Sequence, residues 1–261
     1  MKWQDFEVEC TDYLNKEYGV FNKICFVHVG KSNSTVSDIK VLINGTLKFY
    51  IEVKMETSQC GQFVLLPDWS NKHFVFSEKN SSIETPITRD IITHMNNNFD
   101  EYVNGGVLKI NKSILYDWVK EYYKGKNVKY VITSYSNKYI IFPIEKFPVY
   151  FDISGVYRVK RSGSHSPTKN QQKQTIELLK NTTNNFSYDL LDDNLIVRGD
   201  ELKRGKRFDI GGNTYWLAEH QNGYRVRVLS KTANKNVIFS IFLQKHIQDM
   251  SDLETFISDL K

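Results

Sequence analysis

The stretch Phe49-Tyr50-Ile51-Glu52-Val53-Lys54-Met55 decides how this chain is read. Ile51, Val53 and Met55 alternate with Tyr50, Glu52 and Lys54, the period-two pattern of a half-buried strand. One face is apolar, and the other carries a carboxylate and an ammonium two residues apart. Upstream, Asn44-Gly45 joins the runs IKVLI and TLKFYIEVKM, the strongest short hairpin signal a sequence offers, and Asp38 opens the partner strand. Two carboxylates converging on one point can hold a hard divalent cation such as Mg²⁺, with water and a phosphate oxygen completing its shell. A lysine beside them can orient or deprotonate the attacking water and offset charge on the phosphate. That is a layout for phosphodiester hydrolysis. An exposed Glu/Lys pair on a strand is equally often a solvated face, so the pattern alone leaves both readings open, and the polar continuation ETSQCGQ favours the site.

Register supplies a test. With a strict two-residue turn at Asn44-Gly45, Asp38 would lie opposite Ile51 and point to the wrong face. A three-residue loop of Ile43, Asn44 and Gly45, with Gly45 left-handed, sets Asp38 opposite Tyr50 and on the same face as Glu52. A site built from Asp38, Glu52 and Lys54 therefore predicts a bulged three-residue turn.

The chain has 261 residues, enough for a real core divided among one to three small domains. Hydrophobic residues make up 40% and charged residues 25%, an ordinary globular composition, and the net charge of +5 leans mildly towards acidic partners. Cys10, Cys25 and Cys60 are odd in number and widely spaced, which predicts reduced, buried thiols in a cytosolic protein. The start MKWQDFEVEC has no apolar signal core, and no run reaches the roughly 20 apolar residues of a membrane span. Secretion and membrane insertion are not expected.

Trp3, Phe6, Cys10 and Leu14 recur at helical spacing up to Gly19 and predict an opening amphipathic helix, with Glu7 oddly placed on its apolar stripe. ICFVHV and QFVLL read as strands, Ile87 to Tyr102 and SILYDWVKEYY as helices, and VKYVITSY and KYIIFPI as strands joined near Asn137. A helix is expected around Ile176 to Asn181. Beyond Asn184 the runs NLIVRG, KRFDIGG, TYWLAEHQNG, YRVRVLS and NVIFSIFL predict a small β domain closed by a helix from Asp252 to Leu260. The expected organisation is three domains, one over 1–108 that carries the Asp38, Glu52 and Lys54 layout, a second over 109–184 and a β-rich third over 185–261.

Here the spaced elements Ser37-Asp38 and Glu52-Val53-Lys54 resemble the PD-(D/E)xK nucleases, in a variant with Ser-Asp for Pro-Asp. WQDFEVECTDYLNKEYG, IEVKMETSQCGQFVLLP, WVKEYYKGKNVKYVITS, IIFPIEKF, YRVKRSGS and NVIFSI together resemble the HhaI-like type II restriction endonucleases over nearly the whole chain. The resemblance implies an α/β (α+β) fold with a mixed β-sheet flanked by helices, and Mg²⁺-dependent cutting of double-stranded DNA at a short G/C site, GCGC, by a monomer. It also implies a cognate methyltransferase in the host, encoded elsewhere and forming no stable complex. Carried over residue by residue, Asp38, Glu52, Lys54 and Gln62 would form the catalytic set, with Asp38, Glu52 and Val53 at the metal. Ser37 and Gln59 would touch DNA around it, and Glu7 would add a water-mediated contact, unless it is a buried structural carboxylate.

A G/C site is read by donors aimed at guanine O6 and N7. The best candidates lie in YRVKRSGSH: Arg158, Lys160, Arg161, Ser162, Gly163, Ser164 and His165, with the flexible basic linker as the bland alternative. Arg225 and Arg227 head a basic set suited to phosphates, which position without specifying. Trp69, Trp118 and Trp216 are expected in the core, and the histidines show no grouping of an HNH nuclease. Two other functions compete: a structure-specific repair or junction nuclease on the same core, and a non-catalytic DNA-binding regulator that kept the fold.

Overall fold

The computed structural model describes residues 2–21, 23–30, 37–161, 163–191 and 194–261, apart from the side chains of Lys160 and Arg161. In chain order the elements run α1 (Trp3–Tyr18), β1 (Ile24–His28), β2 (Ile39–Ile43), β3 (Thr46–Val53), β4 (Thr57–Asp68), β5 (His73–Phe76), α2 (Pro86–Asn97), α3 (Phe99–Tyr102), β6 (Gly106–Val107), α4 (Lys112–Lys124), β7 (Val128–Tyr135) and β8 (Lys138–Pro143). There follow α5 (Phe147–Tyr150), β9 (Phe151–Arg161), β10 (Ser164–His165), α6 (Lys169–Thr182), β11 (Ser187–Leu191), β12 (Asn194–Arg198), β13 (Arg207–Ile210), β14 (Asn213–His220), β15 (Gly223–Leu229), β16 (Ala233–Leu243) and α7 (Met250–Asp259). They gather into two compact units, one of residues 1–158 with 235–261 and the other of residues 159–234.

The first unit is built on a mixed sheet in the order β1-β2-β3-β7-β8, antiparallel except where β3 runs parallel to β7. Its alternating side chains feed two cores. Phe49, Ile51 and Val53 of β3 join Val41, Tyr130 and Ile132 against Phe6, Cys10 and Leu14 of α1 and Phe256 of α7. From the opposite face Val131 and Ile140 join Leu115, Trp118 and Val119 of α4 and the second sheet, β5-β4-β16-β9-β6. The amide of Asn15 ties α1 to the free edge of β1, giving Nδ2 to the Phe26 carbonyl at 2.7 Å and taking the Phe26 N–H at 3.0 Å. Trp3, expected on the apolar stripe, is 48% exposed.

The second unit holds the sheet β11-β12-β15-β14-β13, with β10 paired to β15. Leu195, Val197, Tyr215, Leu217, Val226 and Val228 close its core with Leu179 of α6. α6 starts well before the expected Ile176, because Thr168 and Gln171 form a reciprocal capping box at its N-terminus.

The expected three-way division is not the one the chain adopts. α4, β7 and β8, assigned to a recognition segment, complete the first unit. β16 and α7 return there too: β16 pairs with β4 and Phe256 enters the core beneath α1, so the C-terminal helix closes the first unit and not the β-rich one. The helix expected from Ile87 to Tyr102 breaks at Asn98, whose φ of −127° leaves the helical region and separates α2 from α3.

Candidate active site

The hairpin between Asp38 and Glu52 reaches the expected facing by another route. Asn44 and Gly45 have φ of 51° and 76°, the two left-handed residues of a type I′ turn, and Ile43 pairs directly with Thr46. The turn therefore has two residues, not the three anticipated. Parity is restored further along, where Val41 pairs with Phe49 but Leu42 pairs with Leu47, leaving Lys48 as the extra residue of a β-bulge. Beyond it Ile39 lies opposite Ile51, so the next register position sets Asp38 across from Glu52. A bulge within the strand supplies the odd shift that a three-residue loop would have given, and it leaves no sequence mark beyond an exposed lysine.

Three groups meet at this end of β3. The Asp38 carboxylate accepts the Val53 N–H through Oδ2 at 2.8 Å. Lys54 Nζ donates to Glu52 Oε1 at 2.6 Å and to the Val53 carbonyl at 3.2 Å. Glu52 and Lys54 are only 7% and 9% exposed, so this is a desolvated pair and not the solvated one that a surface strand would carry. Below them the Tyr123 ring of α4 lies 5.5 Å from Lys54 Nζ, and its hydroxyl donates to the Cys60 carbonyl at 2.7 Å. Burial pushes the Asp38 carboxyl well above its ordinary value, and the neighbouring Glu52 adds to that, only partly offset by Lys54. Burial works against a charged Lys54, but the Glu52 and Asp38 carboxylates outweigh it and hold the ammonium above its usual range.

A second bulge shapes the strand that follows. Gly61 pairs with Phe239 and Gln59 with Ser240, leaving Cys60 as the extra residue on β4. Residues three apart on a regular strand face opposite ways; the bulge puts Gln59 and Gln62 side by side, with Gln59 Nε2 donating to Gln62 Oε1 at 3.1 Å. Asn236 of β16 donates to the same oxygen at 3.1 Å. Asn236 had no signal in the sequence, since its role depends on a strand pairing 174 residues away. Ser37 is buried, and its hydroxyl has no partner among the described residues. Glu7 is buried on α1, with its Oε2 at 2.8 Å from His28 Nε2.

The other candidates are carried by other elements. Arg158 is exposed on β9 in the first unit. Ser162 and the side chains of Lys160 and Arg161 lie outside the described residues. In the second unit Gly163 has φ of 74° and precedes Ser164 and His165 on β10. Arg227 braces that segment, donating to the Ser164 hydroxyl and the Ser166 hydroxyl, each at 3.2 Å, and to the Ser164 carbonyl. Arg225 shares its strand face, and its Nε is buried without a partner among the described residues. Cys25, expected buried, is exposed because it points outward from the edge strand β1. Trp118 is in the core, Trp216 is half-buried, and Trp69 is 60% exposed, resting edge-on against Phe99.

No group of three or more His, Cys, Asp or Glu side chains able to hold a metal occurs among the described residues. Asp38 and Glu52, with the Val53 carbonyl, are the oxygen donors that could hold a metal here, and two carboxylates close together raise the affinity of such a set for positive charge. Such a set suits a hard divalent cation completed by water and phosphate oxygens.

No protein-family profile matches the chain, and no curated protein does. A solved structure of HhaI endonuclease in complex with DNA is similar over 100% of this chain and 99% of its own, with 40% sequence identity and a TM-score of 0.77. Fold and likeness together define a restriction endonuclease. The chain belongs to the HhaI-like family of type II restriction endonucleases.

Proposed function

We propose that this protein binds double-stranded DNA and hydrolyses it at GCGC with Mg²⁺, as a monomer acting in the cytoplasm beside a separately encoded methyltransferase. The observation that carries this reading is the Asp38, Glu52 and Lys54 constellation, held on one strand face by the Lys48 bulge, in a chain 40% identical to HhaI endonuclease along its full length. Mg²⁺ bound by Asp38, Glu52 and the Val53 carbonyl would supply a Lewis acid for the phosphate and a lowered pKa for its water. Lys54 orients the attacking water and offsets charge as it builds on the phosphate. Gln62, fixed by Asn236, and Gln59 extend a row of amides beyond the acidic pair on the protein surface, placed to contact the sugar-phosphate chain next to the cut. The segment from Arg158 to His165, with Arg225 and Arg227, is the proposed reader of the G/C site.

Digestion of unmethylated plasmid with Mg²⁺, followed by sequencing of the ends, tests the reading. Discrete cuts at GCGC that methylation within the site blocks are the expected result. Cutting governed by branching of the DNA would instead favour a junction nuclease, and tight binding without cutting a regulator.

A further inference from the structure

The C-terminal end of α4 carries a negative charge that the chain does not balance. Glu121 lies in the last turn of that helix, where the free carbonyls already concentrate negative potential. Its side chain is half-buried and its Oε2 wholly so, and the carboxylate meets no donor or cation among the described residues. Neighbouring lysines of α4 are engaged elsewhere: Lys120 pairs with Asp117 and Lys124 with Glu145, each at 2.7 Å. A desolvated carboxylate without a counter-charge is costly, so this one calls for a partner from outside the chain.

Glu121 also stands in the wall of a cavity of about 340 Å³, within the range of about 300–1,000 Å³ that small-ligand sites occupy. α4 adds Trp118 and Tyr122 to that wall, stacked with ring centroids 5.0 Å apart, and the segment entering α2 adds Ser81, Ser82 and Thr85. Donors are scarce there. The indole N–H of Trp118 is committed to the Thr88 hydroxyl at 3.0 Å. Lys126, also in the wall, holds its ammonium 4.2 Å from the centre of the Tyr122 ring and forms no ion pair with Glu121. That contact shows an alkylammonium resting on the aromatic wall. Oxygen acceptors and electron-rich rings around an unbalanced carboxylate select a cation with an apolar body. We propose that the cavity is a binding site for a small organic cation, a primary alkylammonium whose charge meets Glu121 and whose chain lies against Trp118 and Tyr122. Asp38, Glu52 and Lys54 do not line it, so the site stands independently of the hydrolysis proposed above.

The test uses the full-length protein in amine-free buffer, with n-butylammonium chloride as the probe and n-butanol as its neutral counterpart. Calorimetry reads affinity, and thermal melts report both folding and binding. The wild type is expected to bind n-butylammonium, with a melting temperature that climbs with its concentration. It should bind n-butanol about tenfold more weakly or worse, the worth of a hydrogen bond to a charged group. Glu121→Gln keeps the shape of the side chain and removes the charge. It should lose the preference for the cation and, without ligand, melt no lower than the wild type. Gly125→Leu blocks the cavity by another route: Gly125 lines it, has an ordinary φ of −58°, and an added Cβ would meet no atom closer than 3.4 Å. Binding should vanish in this variant. Wild-type protein that binds no n-butylammonium, or binds n-butanol equally well, would overturn the proposal. So would folded Glu121→Gln or Gly125→Leu protein that binds the cation as the wild type does. If one variant does not fold, the other decides alone.

Discussion

Glu52 and Lys54 face each other at 2.6 Å with side chains about one-tenth exposed, so neither can be removed without leaving the other's charge in a dry place. Glu52→Ala is expected to cost about 3–5 kcal/mol in urea denaturation, the usual penalty for breaking a buried pair, whereas Glu52→Gln should abolish cleavage at a smaller loss of stability. Equal losses for the two would mean that water reaches Lys54. Asp38 gives a pH signature. Its carboxyl is pushed above the ordinary carboxylate value by burial and by Glu52, so the folded state holds its proton more tightly than the unfolded chain. That contribution to stability is fully present below the unfolded value of 3.8 and is lost as pH rises through the higher folded one. In chelator, Asp38→Asn, which can still accept the Val53 N–H, should therefore melt higher than wild type at neutral pH, with the gap closing in acid. A constant gap across that range would show that Asp38 does not titrate this way.

At the scale of elements, packing at Gly61 links the catalytic hairpin's continuation to α4. A Cβ on Gly61 would meet the Trp118 ring at 2.6 Å, and Trp118 is held by its Nε1–H bond to the Thr88 hydroxyl at 3.0 Å. Gly61→Ala should destabilise the protein by about 1–3 kcal/mol through overpacking, read as a lowered denaturation midpoint; an unchanged midpoint would mean that α4 shifts freely. Much at this scale was legible in the sequence. The Asn44-Gly45 turn, the alternation in β3 and the helical stripe of α1 each rest on neighbours a few residues apart. The two bulges, at Lys48 and Cys60, were not, because a bulge is decided by the partner strand. Nor was the return of β16 and α7, since NVIFSIFL reads as a strand wherever it pairs. Within the site, Asp38, Glu52 and Lys54 came from spacing, while the partnership of Glu7 with His28 and of Gln62 with Asn236 depends on folding across 21 and 174 residues.

For the whole molecule, the division of charge is uneven. Residues 159–234 carry 13 Lys and Arg against 8 Asp and Glu, so the net +5 of the chain lies wholly in the second unit and leaves the first with 22 of each sign. Neutral overall, the first unit draws its stability from two cores made of its own residues, and the core of the second is likewise self-contained. Replacing residues 159–234 by a short Gly/Ser linker should leave a cooperatively melting protein, because β9 and β16, which carry the chain out and back, are neighbours in one sheet. Loss of the cooperative transition would show that the units fold only together. The shortened protein should also lose most of the salt dependence of DNA binding, which scales with the phosphates that cations neutralise.

The Lys48 bulge also governs which length changes this gene could have survived. Because it makes Asp38 and Glu52 agree in facing, adding or deleting one codon between Ile39 and Ile51 is expected to silence the enzyme unless a bulge is gained or lost with it. A pair of codons at the Asn44-Gly45 tip would pass unnoticed. Drift in this hairpin is therefore expected to proceed in steps of two.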